Sequence, residues 1–279
     1  MPGQGRLGQN QSMFDESLAE AWRLRFGCPP PADVPQVAPF LTHRSVREYA
    51  DRPIEESTVQ VLVGAAQSAA TSSNLQLWSV ISVQDPARRE QLAVLCGDQE
   101  HVRKAPWFLC FLADHYRLRK AAAAHGEEAA GLDYAEFALM AAIDASLAAE
   151  RLVCAAEAMG IGICYIGALR NNPLEVQKLL RLPEGVFGLF GLCLGYPSPT
   201  CKAEIKPRLG ASQIWFKETY DGDADCNEYD ERMRPFYEAQ GMKGEVTWSM
   251  RSSRRVDGNH MSGREVLKEY LECQGFWRR

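Results

Sequence analysis

Residues 134–159, YAEFALMAAIDASLAAERLVCAAEAM from Tyr134 to Met159, decide how this chain is built. Ala, Leu, Met, Ile and Val take up most of the circumference of the helix this stretch predicts. A helix that is apolar all round must be covered all round, so it belongs in a core or in a subunit interface. Gly160 and Gly162 end it, and a short strand at Ile163–Ile166 and a turn at Gly167 follow. Downstream, Pro173–Leu182 reads as a helix and Val186–Leu194 as a buried strand. Upstream, Trp107–Ala113 is a nearly continuous apolar run, the pattern of a strand buried on both faces. Trp78–Val83 is β-rich and bounded by Gln84-Asp85-Pro86, with Pro86 well placed to start a helix that runs to Leu95. Glu55–Ala70 reads as a helix begun by Glu56 or Ser57, with Val59, Leu62, Val63, Ala66 and Ala69 as its apolar stripe. It ends in the polar loop Thr71-Ser72-Ser73-Asn74. Strands and helices mixed in this way predict an α+β domain with helices on both faces of its sheet.

The two ends differ from this middle. Residues 1–12 are rich in Gly, Gln and Asn and are expected to be mobile. A helix is expected from Phe14 to Phe26, with Leu18, Ala21, Trp22 and Leu24 available for packing and Cys28-Pro29-Pro30-Pro31 stopping it. From Lys217 onward the chain is charged and aromatic. Helices are expected near Tyr229–Ala239 and Arg264–Cys273, but no continuous core pattern, so this reads as an arm that wraps another surface. There is no internal repeat, and only an alanine-rich patch near Ala121 is of low complexity. The expected organisation is an N-terminal extension over 1–37, a core over 38–215 and a C-terminal arm over 216–279. The tryptophans, Met140 and Met159 are assigned to the core.

Bulk properties exclude several function classes. The 279 residues are 46% hydrophobic and 24% charged, an ordinary globular composition. A net charge of -5 provides no basic field for nucleic acid. No apolar stretch is long enough to span a bilayer, and the first residues lack the apolar core of a signal peptide. The nine cysteines are scattered, without a CxxC pair or Cys/His ligand spacing. They predict reduced, buried thiols in a cytoplasmic protein without a metal site.

Chemistry concentrates in polar clusters. His43-Arg44-Ser45-Val46-Arg47 sets two guanidinium groups, an imidazole and a hydroxyl within five residues, donors suited to a phosphate and an electron-rich ring. Alone, such a run is usually solvated surface. Here it is followed in order by Thr71–Gln76 (TSSNLQ), Gly97–Val102 (GDQEHV), Tyr165–Asn172 (YIGALRNN), Gly191–Pro197 (GLCLGYP) and Ile205–Leu209 (IKPRL). Taken together over roughly His43 to Ser212, these motifs resemble the flavin-dependent nitroreductase family. The likeness is greatest to its major oxygen-insensitive nitroreductase and NADPH:flavin oxidoreductase branch.

The resemblance implies a nitroreductase-like three-layer α/β/α sandwich, with a mixed, mainly antiparallel sheet, assembled as an intertwined homodimer. It implies FMN, with Arg44, Ser45, Lys206 and Arg208 on the phosphate and Arg47 and Gln99 at the polar edge of the ring. Tyr165, Ile166, Gly167 and Ala168 are implied beside the ring, where a missing Cβ at Gly167 permits close approach. Thr71, Ser72 and Ser73, with Gln76, are implied in cofactor binding, the hydroxyls reaching the FMN of the other subunit; the three could instead merely cap the preceding helix. His43 reads equally as a flavin contact or a structural histidine, and His101 as structural. No side-chain acid or base is required, so no catalytic residue is assigned. The implied activity is ping-pong transfer from NADPH or NADH through FMN to small-molecule acceptors such as nitroaromatics, quinones or flavins. Alternatives are a pathway-specific reductase or dehydrogenase, or an FMN-binding protein that does not turn over.

Two departures from the branch carry expectations. Gln240 stands where an arginine is expected for the 2′-phosphate of NADPH. Lys243 could substitute, but Glu238 and Glu245 oppose it, which predicts a weakened NADPH preference. Arg264 matches a substrate-side arginine. The N-terminal extension is expected to add to the dimer surface, to cover the pocket or to pack on its own subunit, with Trp22 and Phe26 as anchors.

Overall fold

A computed structural model describes residues 13, 14, 16–244 and 246–279. The predicted mobility of residues 1–12, and Glu245, lie outside the described residues. The sheet has four strands: β1 (Trp78–Ser82), β2 (Trp107–Asp114), β3 (Gly162–Ile166) and β4 (Val186–Gly195), in the order β1-β2-β4-β3, each pair antiparallel. The two longest apolar runs are thus the central strands, which explains why they do not alternate. The mixed character comes from one isolated parallel bridge, Ser45 to Ile163, which lays the His43–Arg47 segment along the β3 edge. An antiparallel bridge from Tyr49 to Pro197 continues that attachment. Glycines make the close contact possible. A Cβ on Gly162 would meet Val46 at 2.5 Å, and one on Gly195 would meet the Tyr49 ring at 2.4 Å.

In chain order the helices are α1 (Leu18–Phe26), α2 (Ala38–Leu41), α3 (Glu56–Gln67), α4 (Pro86–Leu95), α5 (Glu100–Lys104) and α6 (Tyr116–Ala124), the last formed by the alanine-rich patch. Then come α7 (Ala135–Ala158), α8 (Pro173–Leu180), α9 (Ala211–Ile214), α10 (Asn227–Ala239), α11 (Trp248–Arg255) and α12 (Leu267–Cys273). β2 shows why three layers result. Leu109 and Phe111 point to one face, where α3 and α7 bring Leu62, Ala148, Leu152 and Ala156. Phe108, Cys110 and Leu112 point to the other, where α4 and α8 bring Leu92 and Val176.

The long helix is covered by its own chain on one side only. Ala141, Ala145, Ala148, Ala149, Leu152 and Ala156 are buried in the chain's own core. Leu139, Ile143 and Leu147, four residues apart on the opposite side, remain 50%, 56% and 45% exposed. They form an apolar ridge that the single chain leaves open.

Other details correct the sequence reading. α1 starts at Leu18, where the Ser17 side chain accepts the Glu20 N–H, rather than at Phe14. It is stopped by Gly27 in the left-handed conformation (φ 72°), before the prolines are reached. Its buried residues are Leu18, Ala21 and Arg25, while Trp22 and Phe26 are half-buried and pack on each other. α1 therefore packs on its own chain. Arg264 begins a 3-10 turn ahead of α12. Much of the C-terminal arm also serves its own core: Tyr270 and Phe276 are buried with Leu77, Ala113 and Phe187. Met159, Trp215 and Trp277 are exposed rather than core. None of the nine cysteines is bridged, and Cys96, Cys110, Cys164 and Cys193 are buried, but Cys28 and Cys273 are exposed.

Candidate functional site

The His43–Arg47 segment on the β3 edge faces the Ala203–Arg208 segment across a cleft of about 230 Å³, closed on its outer side by α10 and α11. His43, Arg44, Ser45, Arg47, Lys206, Arg208 and Gln240 all line it, as do Glu204, Phe236, Tyr237, Met242 and Arg251. Seven residues assigned from sequence are thus brought together. The cations crowd one another. Burial, followed by Arg208, Arg47 and Arg251, holds the Lys206 ammonium below the ordinary lysine range. Lys206 also lies over the Phe236 ring, 5.7 Å from its centroid. Glu204, the carboxylate among these lining residues, accepts a 3.4 Å hydrogen bond from the Gln240 amide. Cations held together with so little neutralisation make an anion site.

Arg44 is differently placed. Its buried guanidinium donates to Thr42 O (2.8 Å) and to the Glu16 carboxylate of the N-terminal extension, with the Phe14 ring 5.9 Å away. Burial lowers its pKa, and Glu157 opposes that shift. His43 Nδ1 lies 2.7 Å from Glu157 Oε1, which ties the cluster to the C-terminal end of α7. His43 also borders a wider recess of about 880 Å³, lined by Phe14, Phe40, Glu150, Cys154 and Met159.

The remaining assigned residues lie elsewhere. Thr71 Oγ1 donates to Asp144 Oδ2 (2.6 Å), and the backbone N–H groups of Ser72 and Leu77 donate to the same carboxylate (3.3 and 3.1 Å). Gln76 N–H donates to Thr71 Oγ1 at 3.0 Å. Ser73, Asn74 and Gln76 adopt positive φ. This loop is therefore pinned to Asp144, thirteen residues from Glu157 on α7, or about 20 Å at 1.5 Å per residue. It and the cation cleft meet one helix at two separate places, its middle and its C-terminal end.

A third group gathers around Asn171, just beyond β3. Arg264 Nε donates to Asn171 Oδ1 (2.8 Å), and a Cβ on Gly263 would meet Asn171 O at 2.4 Å. The Gly97 loop approaches the same residue, and Gln99 Nε2 donates to Cys96 O (2.6 Å). Gly167 lies near Arg170 and Arg264. Ile166 is buried and Ala168 half-buried against the core. Tyr165 Oη donates to Glu150 Oε2 (3.2 Å), and burial together with Glu150 raises its pKa. Lys243 is exposed and does not line the cleft.

Sequence reasoning missed Arg251, Asp144, Glu157, Glu16 and Arg25. For Arg251 a signal existed: Thr247 caps a short helix in which Arg251, Arg254 and Arg255 recur. The others act through contacts between distant segments and left none.

Residues 41–196 match the model of the nitroreductase family, and residues 206–279 match that of the nitroreductase family C-terminal domain. The chain belongs to the nitroreductase family. Among similar members, an FMN reductase (NADPH) of Bacillus subtilis is 36% identical, with 85% of this chain and 96% of that protein covered. An oxygen-insensitive NADPH nitroreductase of Salmonella typhimurium is 34% identical, covering 87% and 98%. The solved structure of NfrA1 nitroreductase from B. subtilis superposes with a TM-score of 0.80 at 36% identity, covering 86% and 98%. An NADPH:FMN oxidoreductase from Vibrio harveyi, complexed with NAD+, gives 0.75 at 32% identity, covering 85% and 96%. The first forty residues of this nitroreductase lie outside both family models.

Proposed function

We propose that this nitroreductase-family protein is an FMN-dependent NAD(P)H oxidoreductase. The observation that carries the reading is the convergence of Arg47, Lys206, Arg208 and Arg251 on one cleft at the β3 edge. A donor set of this kind fits a phosphate dianion, which neutralises the mutual repulsion of the cations and takes charge-assisted hydrogen bonds. Ser45, Lys206 and Arg208 hold the phosphate, with Arg44 behind them. Arg47 and Gln99 serve the polar edge of the ring, and Tyr165–Ala168 offer backbone beside it. FMN, when bound, supplies the redox chemistry, taking two electrons from a reduced nicotinamide nucleotide and giving two to a nitroaromatic, quinone or flavin acceptor. The protein's own part is orientation and charge.

The working unit is a homodimer. Two observations support it: the open ridge of Leu139, Ile143 and Leu147, and the separation of the Thr71–Gln76 loop from the cation cleft along α7. A second copy covers the ridge and brings its loop to the first copy's cleft, while the C-terminal arm lines the pocket and reaches the partner. Arg251 supplies a cation for the 2′-phosphate where Gln240 cannot, so NADPH is used alongside NADH. The place of work is the cytoplasm, where unbridged thiols persist. No described helix is long and apolar enough to cross a membrane.

Anaerobic mixing with each reduced nucleotide tests the reading. Protein loaded with FMN should lose its yellow absorption and regain it on addition of a quinone. Colour that resists both nucleotides would leave a flavin-binding protein without turnover. Protein that stays colourless after soaking in excess FMN would end the proposal.

A further inference from the structure

α1 lies outside the family models, yet its one buried charge is joined to the framework of the cleft. Arg25 is 5% exposed. Its Nε donates to Leu41 O (2.7 Å), its Nη2 to His43 O (2.8 Å) and its Nη1 to Lys206 O (3.0 Å). The Arg208 backbone N–H in turn donates to Arg25 O (2.9 Å). Arg232 of α10 fastens the same joint, bonding Phe26 O and, at 3.1 Å, Arg208 O.

We propose that Arg25 is a positioning residue for the phosphate end of the cofactor site; this rests on the FMN reading above. One planar guanidinium fork grips both segments that carry the cations, the one before Arg44 and the one before Arg208, although they are far apart in sequence. Its partners are backbone carbonyls, so it draws the peptides inward and leaves the side chains of Ser45, Arg47, Lys206 and Arg208 to face the cleft. Those cations repel one another, and without the fork an incoming phosphate would have to draw the two segments together itself. With it, the arrangement is set during folding and binding meets a prepared site. A helix that only needed docking would be served by Leu18 and Ala21, without the desolvation cost of a buried charge. Burial and then Arg208 lower the Arg25 pKa to about 10, with Glu157 opposing, so the fork stays protonated at neutral pH.

The test compares wild type with Arg25→Met and Arg25→Lys by FMN fluorescence titration and by thermal melting with and without saturating FMN. Arg25→Met should weaken FMN by about tenfold or more through lost pre-organisation. It should shrink the rise in Tm that FMN produces. At saturating FMN, the loss in kcat and in KM for reduced nucleotide should be several-fold smaller than the loss in FMN affinity, since Arg25 holds the phosphate end rather than the reacting atoms. Arg25→Lys, a point charge that cannot span three carbonyls, should fall between. An FMN Kd equal to wild type, with the apo and loaded forms losing equal Tm, would overturn the proposal and leave Arg25 a fold anchor. Should Arg25→Met fail to fold, an unchanged Kd in Arg25→Lys would overturn it equally. Wild-type protein that takes up no FMN removes the functional reading itself, a failure distinct from equal affinities in wild type and variant.

Discussion

Two places along α7 handle polar groups in opposite ways. Near the middle of the helix Asp144 collects a hydroxyl and two backbone N–H groups from the Thr71–Leu77 loop, and the polar atoms are satisfied within the chain. Near its C-terminal end Glu157 engages His43, from a segment whose neighbouring Arg47 faces Lys206, Arg208 and Arg251. A polar motif is thus no guide by itself to what faces a ligand. Thr71 is spent on holding its loop, whereas the cations across the cleft are held close with little to neutralise them, and that imbalance marks a binding site.

The strongest way to break this comparison is to empty the charged end. Lys206→Ala combined with Arg208→Ala should weaken FMN by about a hundredfold or more, because charge-assisted bonds contribute about 1.5–3 kcal/mol each. Equilibrium dialysis reads this directly, and near-native affinity would mean the cleft is not the phosphate site. At the satisfied place, Asp144→Ala should cost about 3 kcal/mol in urea unfolding, since three donors lose one buried carboxylate. In the proposed dimer it should also loosen FMN by several-fold, so an unaltered FMN affinity would detach the loop from the cofactor. Arg251→Ala sharpens the picture further. The kcat/KM for NADPH should fall about tenfold, for the loss of one exposed phosphate contact, with NADH changed by about twofold at most. Equal losses for both nucleotides would restore the weakened NADPH preference read at Gln240.

The smallest effect concerns pH. Lys206 is held below the ordinary lysine value of 10.5 by burial and by neighbouring cations. Its charge is present below that lowered pKa and lost above it, so FMN affinity should decline with rising pH earlier than an ordinary lysine would allow. Lys206→Arg, which stays charged, should flatten the decline in titrations at alkaline pH. A curve of unchanged shape would remove Lys206 from the phosphate contacts.

Much of the fold is legible in the sequence because its signals are local. β2 and β4 declare themselves as unbroken apolar runs, and α7 as a long stretch of helix formers. The start of α1 and the dual use of the C-terminal arm are less legible. Ser17 and Gly27 compete with stronger-looking aromatic and proline signals, and Phe276 finds its core only after the chain has returned to the sheet. In the site, clustered charge exposed His43–Arg47 and Lys206–Arg208. Asp144, Glu157 and Arg25 escaped because their meaning depends on which carbonyl or hydroxyl folding brings opposite them.

The sulfur atoms beneath the sheet bear on endurance. Burial pushes the Cys96 thiol up to about 12 and raises those of Cys110 and Cys193 still further. Peroxide attacks the thiolate, so these groups are poor targets. An enzyme that leaks electrons to dioxygen generates that oxidant beside its own core. Oxidative wear should therefore begin at the rim, with exposed Cys28 and Cys273, and reach the sheet only after the molecule has opened.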